Sequence, residues 1–311
     1  MLAIVAPGQG SQTPGFLNPW LEISDLKESL STYSDAVGLN LAILGTESGP
    51  DEIRDTANAQ PLIVAAGLLG LQALGSDARF DVTTGHSVGE LTAAAIAGVI
   101  SNLDAMKLVR ERGLAMAVAA AHSTTGMSAV LGGDRAEILA LIAHLGLVAA
   151  NDNGAGQIVA AGDLLALGAL ADSIPSNARV RALAVSGAFH THFMAPAVGH
   201  LKECATALHP TDSKHPIVSN KDGASITSGQ QVMDRIVSQI ANPVRWDLCM
   251  ATMLEMGVTA VLELPPAGTL VGLIKRSMPG VETLALKTPD DLAAAQDLIA
   301  RHAGPTAKAA S

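Results

Sequence analysis

The segment Gly85-His86-Ser87-Val88-Gly89 carries the Gly-x-Ser-x-Gly pattern of a serine held on a sharp turn between a strand and a helix. A serine hydroxyl is a weak nucleophile until such a turn presents it beside a base. The two glycines supply the small neighbours that a crowded turn requires. The flanking sequence predicts a strand over residues 80–84 and a helix over residues 90–100, whose N-terminus suits a developing oxyanion. The pattern also occurs by chance, so this strand–turn–helix context has to support it.

The composition is that of a globular chain with a large aliphatic core. Of the 311 residues, 49% are hydrophobic but only 2% are aromatic, so alanine, valine, leucine and isoleucine must fill the interior. The formal net charge of −10 argues against nucleic acid as a partner. No stretch reaches the ~18 consecutive apolar residues of a membrane span, so we expect no membrane partner. The N-terminal residues 1–7 resemble a buried strand and not a signal peptide.

Two cysteines, Cys204 and Cys249, are the only thiols of the chain. Their spacing is not that of a metal site, and no disulfide framework is suggested. We therefore expect reduced core thiols in a cytoplasmic protein, with no bound metal.

Strand and helix patterns alternate along the chain, which predicts an α/β fold. The short apolar run Leu2–Ala6 is typical of a central parallel strand. Residues 61–74 are too apolar for a surface helix, so we expect a buried helix with Pro61 at its first position. Residues 103–121 predict another helix, which carries Arg110 and Arg112.

Residues 123–186 differ from their surroundings, because their patterns follow the order β-α-β-β-α-β of a ferredoxin-like unit. We predict that this subdomain is inserted into a large α/β-hydrolase-like domain with a central parallel sheet. The predicted boundaries are residues 1–122 and 187–303 for the large domain, 123–186 for the subdomain and 304–311 for a flexible tail.

A serine nucleophile needs a base, and the sequence offers nine histidines. His190 stands in Gly187-Ala188-Phe189-His190, where the chain returns from the predicted subdomain to the large domain. From the chemistry alone, a surface or capping role remains open for it. His86 is adjacent to Ser87, and neighbours on a tight turn point apart, so we interpret His86 as structural, with an electrostatic contact near the elbow as the alternative.

Two loops are candidates for an oxyanion hole. One donor is the main-chain N–H after the nucleophile, at Val88. The other loop is Pro7-Gly8-Gln9-Gly10-Ser11-Gln12, because ligands of open α/β sheets bind at the carboxyl ends of strands. This loop resembles a phosphate loop, but no Gly-Lys-Ser/Thr follows it, so support for a nucleotide site is weak.

Five motifs carry a family resemblance that covers residues 1–290. In chain order they are Ala6-Pro7-Gly8-Gln9-Gly10-Ser11-Gln12, Gly85-His86-Ser87-Val88-Gly89-Glu90, Arg110-Glu111-Arg112-Gly113, Gly187-Ala188-Phe189-His190 and Asn242-Pro243-Val244-Arg245-Trp246. With them the chain resembles the malonyl-CoA:acyl carrier protein transacylases of bacterial fatty acid synthesis. It is also similar to the acyltransferase domains of polyketide synthases.

The resemblance implies a role for each matched position. Ser87 would be the acylated nucleophile and His190 its base. The main-chain carbonyl of Gln239 would orient His190, which agrees with a sequence in which no acid is obviously placed to complete a triad. The main-chain N–H groups of Gln9 and Val88 would form the oxyanion hole.

Two further residues would select the substrate. Arg112 would bind the malonyl carboxylate through two parallel hydrogen bonds, whereas the residues alone suggest a solvated cation at a helix end. Phe189 would crowd the α-methyl group of methylmalonyl-CoA, and the alternative is that its ring only fills the core.

The implied reaction is ping-pong transfer of a malonyl group from malonyl-CoA to the phosphopantetheine thiol of acyl carrier protein, through a malonyl-serine ester. The resemblance implies a monomeric enzyme of fatty acid biosynthesis without cofactor or metal, because CoA is part of the substrate and the carrier brings the phosphopantetheine. One alternative is an acyltransferase subunit of another malonyl pathway, such as malonate decarboxylase or polyketide synthesis. Another is a serine hydrolase, which Arg112 and the missing acid disfavour.

Carrier proteins are acidic, and so is this chain, so docking requires a local basic patch. The candidate cations are Lys275, Arg276, Arg179 and Arg181.

Overall fold

The computed structural model describes residues 1–75 and 78–304, which form a mixed α/β fold around two mixed β-sheets. The strands are β1 (Leu2–Ala6), β2 (Val82–Gly85), β3 (Thr125–Gly132), β4 (Val148–Asp152), β5 (Gln157–Asp163), β6 (Ala178–Ala182), β7 (Ile217–Val218), β8 (Ser225–Ile226), β9 (Val244–Arg245), β10 (Ala260–Glu263) and β11 (Glu282–Ala285). The helices are α1 (Ser24–Val37), α2 (Leu41–Thr46), α3 (Pro50–Arg54), α4 (Thr56–Leu74), α5 (Gly89–Ile96), α6 (Asn102–Ala121), α7 (Arg135–His144), α8 (Leu164–Ser173), α9 (Ala195–Thr206), α10 (Gly229–Gln239), α11 (Trp246–Glu255), α12 (Leu270–Ser277) and α13 (Leu292–His302). The tail predicted over residues 304–311 lies outside the described residues, apart from Gly304.

The larger sheet has the strand order β11-β10-β1-β2-β7-β8 and is parallel except for β8 at its edge. Strand β1 is central, as predicted, and all five of its residues are buried. Leu2 and Ile4 pack into one hydrophobic cluster, while Ala3 and Val5 pack into a second one on the opposite face. Because side chains alternate between the faces of a strand, a strand covered on both faces must be apolar throughout.

Strand β2 pairs with β1 and begins at Val82 instead of the predicted position 80. Asp81 explains the difference, because its side chain accepts a hydrogen bond from the Leu2 N–H at 2.7 Å. The helix that follows the turn, α5, ends at Ile96, earlier than predicted.

Helix α4 begins at Thr56, so the prediction that it starts at Pro61 is wrong. The Asp55 side chain caps the helix by accepting a hydrogen bond from the Ala57 N–H at 2.9 Å. Proline lacks the N–H that would otherwise bond to the carbonyl four residues earlier. Arg110 Nη1 replaces this donor and binds the Ala57 carbonyl at 2.9 Å.

The burial predicted for α4 is confirmed, because most of its residues are buried. Contrary to the sequence-based expectation, α4 is long and apolar enough, by length and composition, to cross a membrane. Within the structure, however, 72% of its apolar window is buried, as in a core helix.

The smaller sheet has the order β6-β3-β5-β4-β9. Its first four strands pair antiparallel and, with α7 and α8, follow the predicted β-α-β-β-α-β sequence of elements. The fifth strand, β9, joins β4 in parallel and comes from a much later part of the chain. The smaller sheet therefore extends beyond the predicted insertion of residues 123–186, because β9 belongs to a different part of the chain.

The turn between β2 and α5 leaves no room for a side chain at its two glycines. A Cβ atom on Gly85 would overlap the main chain of Gly89, and one on Gly89 would overlap the Ala6 carbonyl. Between them Ser87 has a φ of 54°, in the left-handed region that residues other than glycine rarely adopt. Main-chain crowding therefore fixes how the serine is presented.

We predict that Gly85→Ala lowers the free energy of unfolding by about 1–3 kcal/mol or more, because the added methyl group must displace the main chain of Gly89. The matched control is Gly168→Ala in α8, where an added Cβ would meet nothing within 4 Å. This control should raise stability by about 0.5–1 kcal/mol, as expected for a glycine inside a helix. Urea unfolding followed by circular dichroism measures both changes, and an unchanged stability of Gly85→Ala would contradict the crowded turn.

Candidate active site

A cleft of about 500 Å³ lies at the carboxyl ends of β1 and β2, beside the smaller sheet. Six of the seven site residues predicted from the sequence line it: Gln9, Ser87, Val88, Arg112, Phe189 and His190. The seventh, Gln239, lies behind this surface and is buried.

The nucleophile candidate is hydrogen-bonded to the predicted base. Ser87 Oγ and His190 Nε2 are 2.7 Å apart. The main-chain N–H of Ser87 donates to Asn220 Oδ1 at 2.8 Å, and Asn220 Nδ2 donates to the Gly85 carbonyl at 2.8 Å. Asn220 therefore bridges the two sides of the strained turn. Nothing in the local sequence around Asn220 indicated this contact.

His190 is oriented through its second ring nitrogen. Nδ1 lies 2.8 Å from the main-chain carbonyl oxygen of Gln239. Because a carbonyl can only accept, Nδ1 carries the hydrogen, and Nε2 is left to accept the proton of Ser87. Burial, together with the neighbouring charge of Arg112, lowers the pKa of His190 to about 3. The imidazole is therefore neutral at physiological pH, as a base must be.

Arg112 is buried in the middle of α6, with only 1% of its surface exposed. Its Nη1 donates to Gln60 Oε1 at 2.6 Å, and its Nη2 donates to Gln239 Oε1 at 2.8 Å. The same Nη2 lies 3.4 Å from Ser87 Oγ. This burial contradicts the alternative of a solvated cation at a helix end.

The Arg112 guanidinium keeps capacity for a ligand. Burial lowers its pKa to about 10, so the group remains positively charged at neutral pH. Its Nε has no partner among the described residues. A guanidinium carries five N–H donors, so those not bound to the two glutamines can receive a carboxylate beside the serine.

The side chain of Gln239 connects the parts of this site, a role that the sequence analysis missed. Its Nε2 donates to Glu90 Oε2 at 2.5 Å and lies 3.1 Å from both the Ser87 carbonyl and Asn220 Oδ1. Gln239 Oε1 accepts a hydrogen bond from Arg112, and its main-chain carbonyl accepts one from His190. Gln239 therefore contacts the nucleophile, the base and the cation.

Glu90 is a second residue that the sequence analysis did not assign, although it ends the quoted elbow motif. It is 3% exposed, and its Oε1 accepts a hydrogen bond from the Asn220 N–H at 2.7 Å. Burial raises the pKa of Glu90 to about 7, while the Asn220 N–H and the charge of Arg112 oppose that rise.

Both predicted oxyanion donors line the cleft beside Ser87. Within the described part of the chain, neither the Gln9 N–H nor the Val88 N–H has a hydrogen-bond acceptor. The loop that carries Gln9 approaches the elbow closely, because a Cβ atom on Gly8 would lie 2.7 Å from the His86 carbonyl oxygen. Two N–H groups are thus available on the side of the cleft where the serine stands.

His86 and Phe189 both border the cleft. His86 Nε2 lies 2.9 Å from Asn153 Oδ1, so this side chain joins the elbow to the loop after β4. His86 thus makes a structural contact and also borders the cleft beside Ser87. Phe189 is 6% exposed and belongs to the main hydrophobic cluster while one side of it borders the cleft, so its core environment is shown and its effect on substrate choice stays a prediction.

The remaining candidates differ in their environment. All four cations proposed for carrier docking, namely Lys275, Arg276, Arg179 and Arg181, are exposed. Of these, only Arg276 also lines the cleft.

The two cysteines also differ from each other. Cys249 is a buried free thiol, as predicted. Cys204 is only half-buried and packs against the main hydrophobic cluster from outside, so the core prediction holds for it only in part. It lies beside Glu111 and His200, so the linear spacing of the cysteines did not reveal its surroundings.

Comparison with known proteins agrees with this geometry. The chain matches the acyl transferase domain family over residues 4–288. It is 52% identical over 299 residues to the malonyl CoA-acyl carrier protein transacylase of Mycobacterium tuberculosis, covering 94% of this chain and 98% of that protein. Its identity to the protein of that name from Escherichia coli is 34% over 307 residues, covering 95% of this chain and 99% of the relative.

Solved structures give the same result. The crystal structure of MCAT from Mycobacterium tuberculosis superposes with a TM-score of 0.92 at 51% identity, covering 95% of this chain and 99% of that one. A malonyl-transacylase solved in complex with its holo type II polyketide synthase acyl carrier protein has a TM-score of 0.89 at 29% identity, covering 96% and 99%. The chain therefore belongs to the acyl transferase domain family, among the malonyl CoA-acyl carrier protein transacylases.

Proposed function

We propose that this protein transfers the malonyl group of malonyl-CoA to the phosphopantetheine thiol of acyl carrier protein in fatty acid biosynthesis, through an ester on Ser87. The observation that carries the proposal is a buried guanidinium 3.4 Å from a serine that is itself bonded to a neutral histidine. A nucleophile and a carboxylate receptor thus share one cleft. The names of the relatives support the same substrate and carrier.

Acylation begins when Ser87 Oγ attacks the thioester carbonyl and its proton moves to His190 Nε2. The carbonyl oxygen becomes an oxyanion, which the N–H groups of Gln9 and Val88 receive. The Gln239 carbonyl stabilises the imidazolium through Nδ1–H. The intermediate then collapses, the C–S bond breaks, and the imidazolium returns its proton to the CoA thiolate.

The second half-reaction follows the same steps in reverse. The carrier thiol gives its proton to His190 Nε2 and attacks the ester carbonyl, and Ser87 Oγ leaves and recovers that proton. Water must be kept from the ester for transfer to outrun hydrolysis. A serine hydrolase usually orients its histidine with an acid, and here a neutral carbonyl occupies that position.

Arg112 supports malonyl selection in two ways. Its fork can bind the free carboxylate and so hold the thioester over Ser87. Burial lowers the pKa of His190, the charge of Arg112 lowers it further, and a bound carboxylate would offset that second contribution. A malonyl group would therefore strengthen its own base, whereas an acetyl group would not. Phe189 borders the same cleft and would crowd an α-methyl branch.

We also propose the finer description of the fold and its setting. The mainly parallel sheet supports an α/β-hydrolase-like domain over residues 1–122 and 187–303, and the order β6-β3-β5-β4 supports a ferredoxin-like subdomain over residues 123–186. The enzyme acts in the cytoplasm as a monomer, and its transfer chemistry requires no cofactor or metal, since both thiols arrive with the substrates. The net charge of −10 supports the absence of nucleic acid as a partner, and the burial of α4 within the fold supports the absence of a membrane partner.

A carrier of polyketide synthesis is the second candidate partner. One structural neighbour is a malonyl-transacylase held in complex with such a carrier. The same acyl-serine chemistry would serve either carrier.

We predict that Ser87→Ala abolishes covalent labelling by radiolabelled malonyl-CoA and lowers transfer at least about 10⁴-fold, because the activated nucleophile is lost. Ser123→Ala, at an exposed serine, is the control and should label like the wild type. Labelling is measured on the intact protein after removal of free malonyl-CoA. Retention of a covalent malonyl group by Ser87→Ala would refute the proposed function.

For Arg112→Ala we expect kcat/KM for malonyl-CoA to fall by about 10²–10³-fold, the equivalent of roughly 3–5 kcal/mol for a buried charge left without its partner. Activity with acetyl-CoA should be kept or should rise, because acetyl lacks the carboxylate. Lys107→Ala, an exposed position on the same helix, controls for effects on α6. Equal losses for both substrates would assign Arg112 a structural role only.

The depressed pKa of His190 predicts a measurable pH dependence of stability. Between the folded pKa of about 3 and the unfolded value near 6.5, only the unfolded state carries the proton, so stability falls as the pH decreases. In that window the wild type should lose up to ~1.4 kcal/mol per pH unit more than His190→Gln. Urea unfolding at pH 5 and 6 tests this, with His209→Gln, at an exposed histidine, as control. Parallel pH dependences of wild type and His190→Gln would mean that native His190 titrates normally.

We further predict that Lys275→Glu raises KM for acyl carrier protein roughly fivefold, equivalent to about 1 kcal/mol, and leaves acylation by malonyl-CoA unchanged. Lys275 is exposed and does not line the cleft, unlike Arg276. The effect should vanish at high salt, because charge mainly accelerates encounter. The two half-reactions are measured separately, with Lys107→Glu as control, and an unchanged KM for the carrier would place docking elsewhere.

A further inference from the structure

Three potential metal ligands meet outside the cleft, between α6 and α9. They are Glu111, His200 and Cys204, and their ligand atoms all lie within 4.8 Å of one another. Glu111 Oε2 is 2.6 Å from His200 Nε2, and Cys204 Sγ is 3.7 Å from that same nitrogen. None of the three lines the cleft, so the transfer reaction does not account for the cluster.

The fold explains why these residues meet. His200 and Cys204 stand four positions apart on α9, and residues at that spacing share one face of a helix. Helix α6 packs along α9 and supplies Glu111 from its solvent side, while the next residue, Arg112, points into the core. The side chains of His200 and Glu111 are 50% and 39% exposed, so a hydrated ion can reach them.

We propose that Glu111, His200 and Cys204 form a binding site for one divalent transition-metal ion of the zinc class, with solvent as the fourth ligand. Thiolate and imidazole are the ligands that zinc prefers, and a carboxylate commonly completes such sets. Three protein ligands with one open position make a recognised tetrahedral arrangement. On binding, the Cys204 thiol releases its proton to solvent. The hydrogen that His200 Nε2 donates to Glu111 is lost to solvent while Nδ1 keeps or gains one, so the imidazole binds as the neutral Nδ1–H tautomer. The Glu111–His200 hydrogen bond is thereby replaced by two metal–ligand bonds.

The distances need little adjustment. Zn–S and Zn–N bonds of about 2.3 and 2.0–2.1 Å place the two donor atoms of a tetrahedral site roughly 3.5 Å apart. The observed separation of Cys204 Sγ and His200 Nε2 is 3.7 Å. The Glu111 and His200 atoms, now at hydrogen-bond distance, must separate by less than about 1 Å for the ligand bond lengths to be met. Both side chains are partly exposed and free to turn.

The electrostatics favour a cation. Carboxylate and thiolate supply two negative charges, and neutral imidazole supplies none, so a divalent ion is balanced. Glu111 makes no salt bridge with lysine or arginine in the described part of the chain.

A bound ion would cross-link two helices that are otherwise held by packing. Because Glu111 directly precedes Arg112, the link would also restrain the turn of α6 that carries the carboxylate receptor. A ligand that binds only the folded state stabilises it, so Zn²⁺ should raise the melting temperature of the protein.

The test is a titration of chelator-treated, reduced full-length protein with Co²⁺, followed by the thiolate-to-cobalt charge-transfer absorption. We expect the absorption to saturate at one equivalent and to be displaced by Zn²⁺. Cys204→Ser should abolish it, and His200→Gln and Glu111→Gln should weaken Zn²⁺ binding at least about tenfold, since even the outer-shell partners of ligands contribute that much. The exposed-histidine variant His209→Gln should bind like the wild type.

Melting curves with and without Zn²⁺ give a second readout, in which the wild type is stabilised and Cys204→Ser and His200→Gln are not. Circular dichroism establishes whether each variant is folded. If Cys204→Ser does not fold, His200→Gln serves as the test in its place. Absence of the cobalt absorption from the wild type would overturn the proposal. Its persistence in Cys204→Ser would overturn it as well, because the thiolate would then be Cys249.

Discussion

The hydrogen bond from His190 Nδ1 to the Gln239 carbonyl is the contact on which the active site depends. It selects the tautomer that leaves Nε2 free for Ser87, and it does so without adding a negative charge. An aspartate in that position would place a negative charge near the buried Arg112 and would compete with the malonyl carboxylate that we propose Arg112 binds. A neutral orienting group leaves the guanidinium without a competing carboxylate at that position. The pKa of His190 is low because the ring is buried and, to a smaller extent, because Arg112 is charged.

Gln239 also explains why Ser87, His190 and Arg112 keep fixed positions relative to one another. The Gln239 side chain binds Arg112, Glu90 and the Ser87 carbonyl while its main chain binds His190. Buried polar networks of this kind are costly when incomplete, so each member constrains the others. The strained turn at Ser87 persists because Asn220 and the close-packed glycines determine it from both sides.

How far the sequence predicts the structure depends on whether the signal is local. The elbow, β1 and the β-α-β-β-α-β segment are local patterns, and each forms near its predicted position. The sequence analysis did not predict helix α1, although a local pattern indicates it: Leu26, Leu30, Tyr33 and Val37 recur at helical spacing and are buried. The start of α4 was misplaced because the donor that compensates Pro61 comes from Arg110, a residue distant in the chain.

In the candidate site, too, the residues in local motifs were predictable and the contacts made by tertiary packing were not. Ser87, His190 and Arg112 lie in recognisable motifs, and the contact of His190 with the Gln239 carbonyl was expected from the family resemblance. The burial of Arg112, the Gln239 side-chain contacts and the Asn220 bridge arise from tertiary packing and have no local signature. Strand β9 has only two residues, too few for a periodic sequence pattern to predict it, yet it joins the smaller sheet to a later part of the chain.

An acyl-enzyme that persists until a carrier arrives is the central species of the proposed reaction, and trapping it is the most direct test. The protein is mixed with malonyl-CoA in the absence of carrier, and the masses of the intact chain and its peptides are followed together with released CoA and malonate. We expect one malonyl ester per chain, on the peptide that contains Ser87, and a single burst of CoA with little malonate until holo acyl carrier protein is added. Continuous release of malonate at the rate of CoA without a carrier, or an ester on another peptide, would contradict the account.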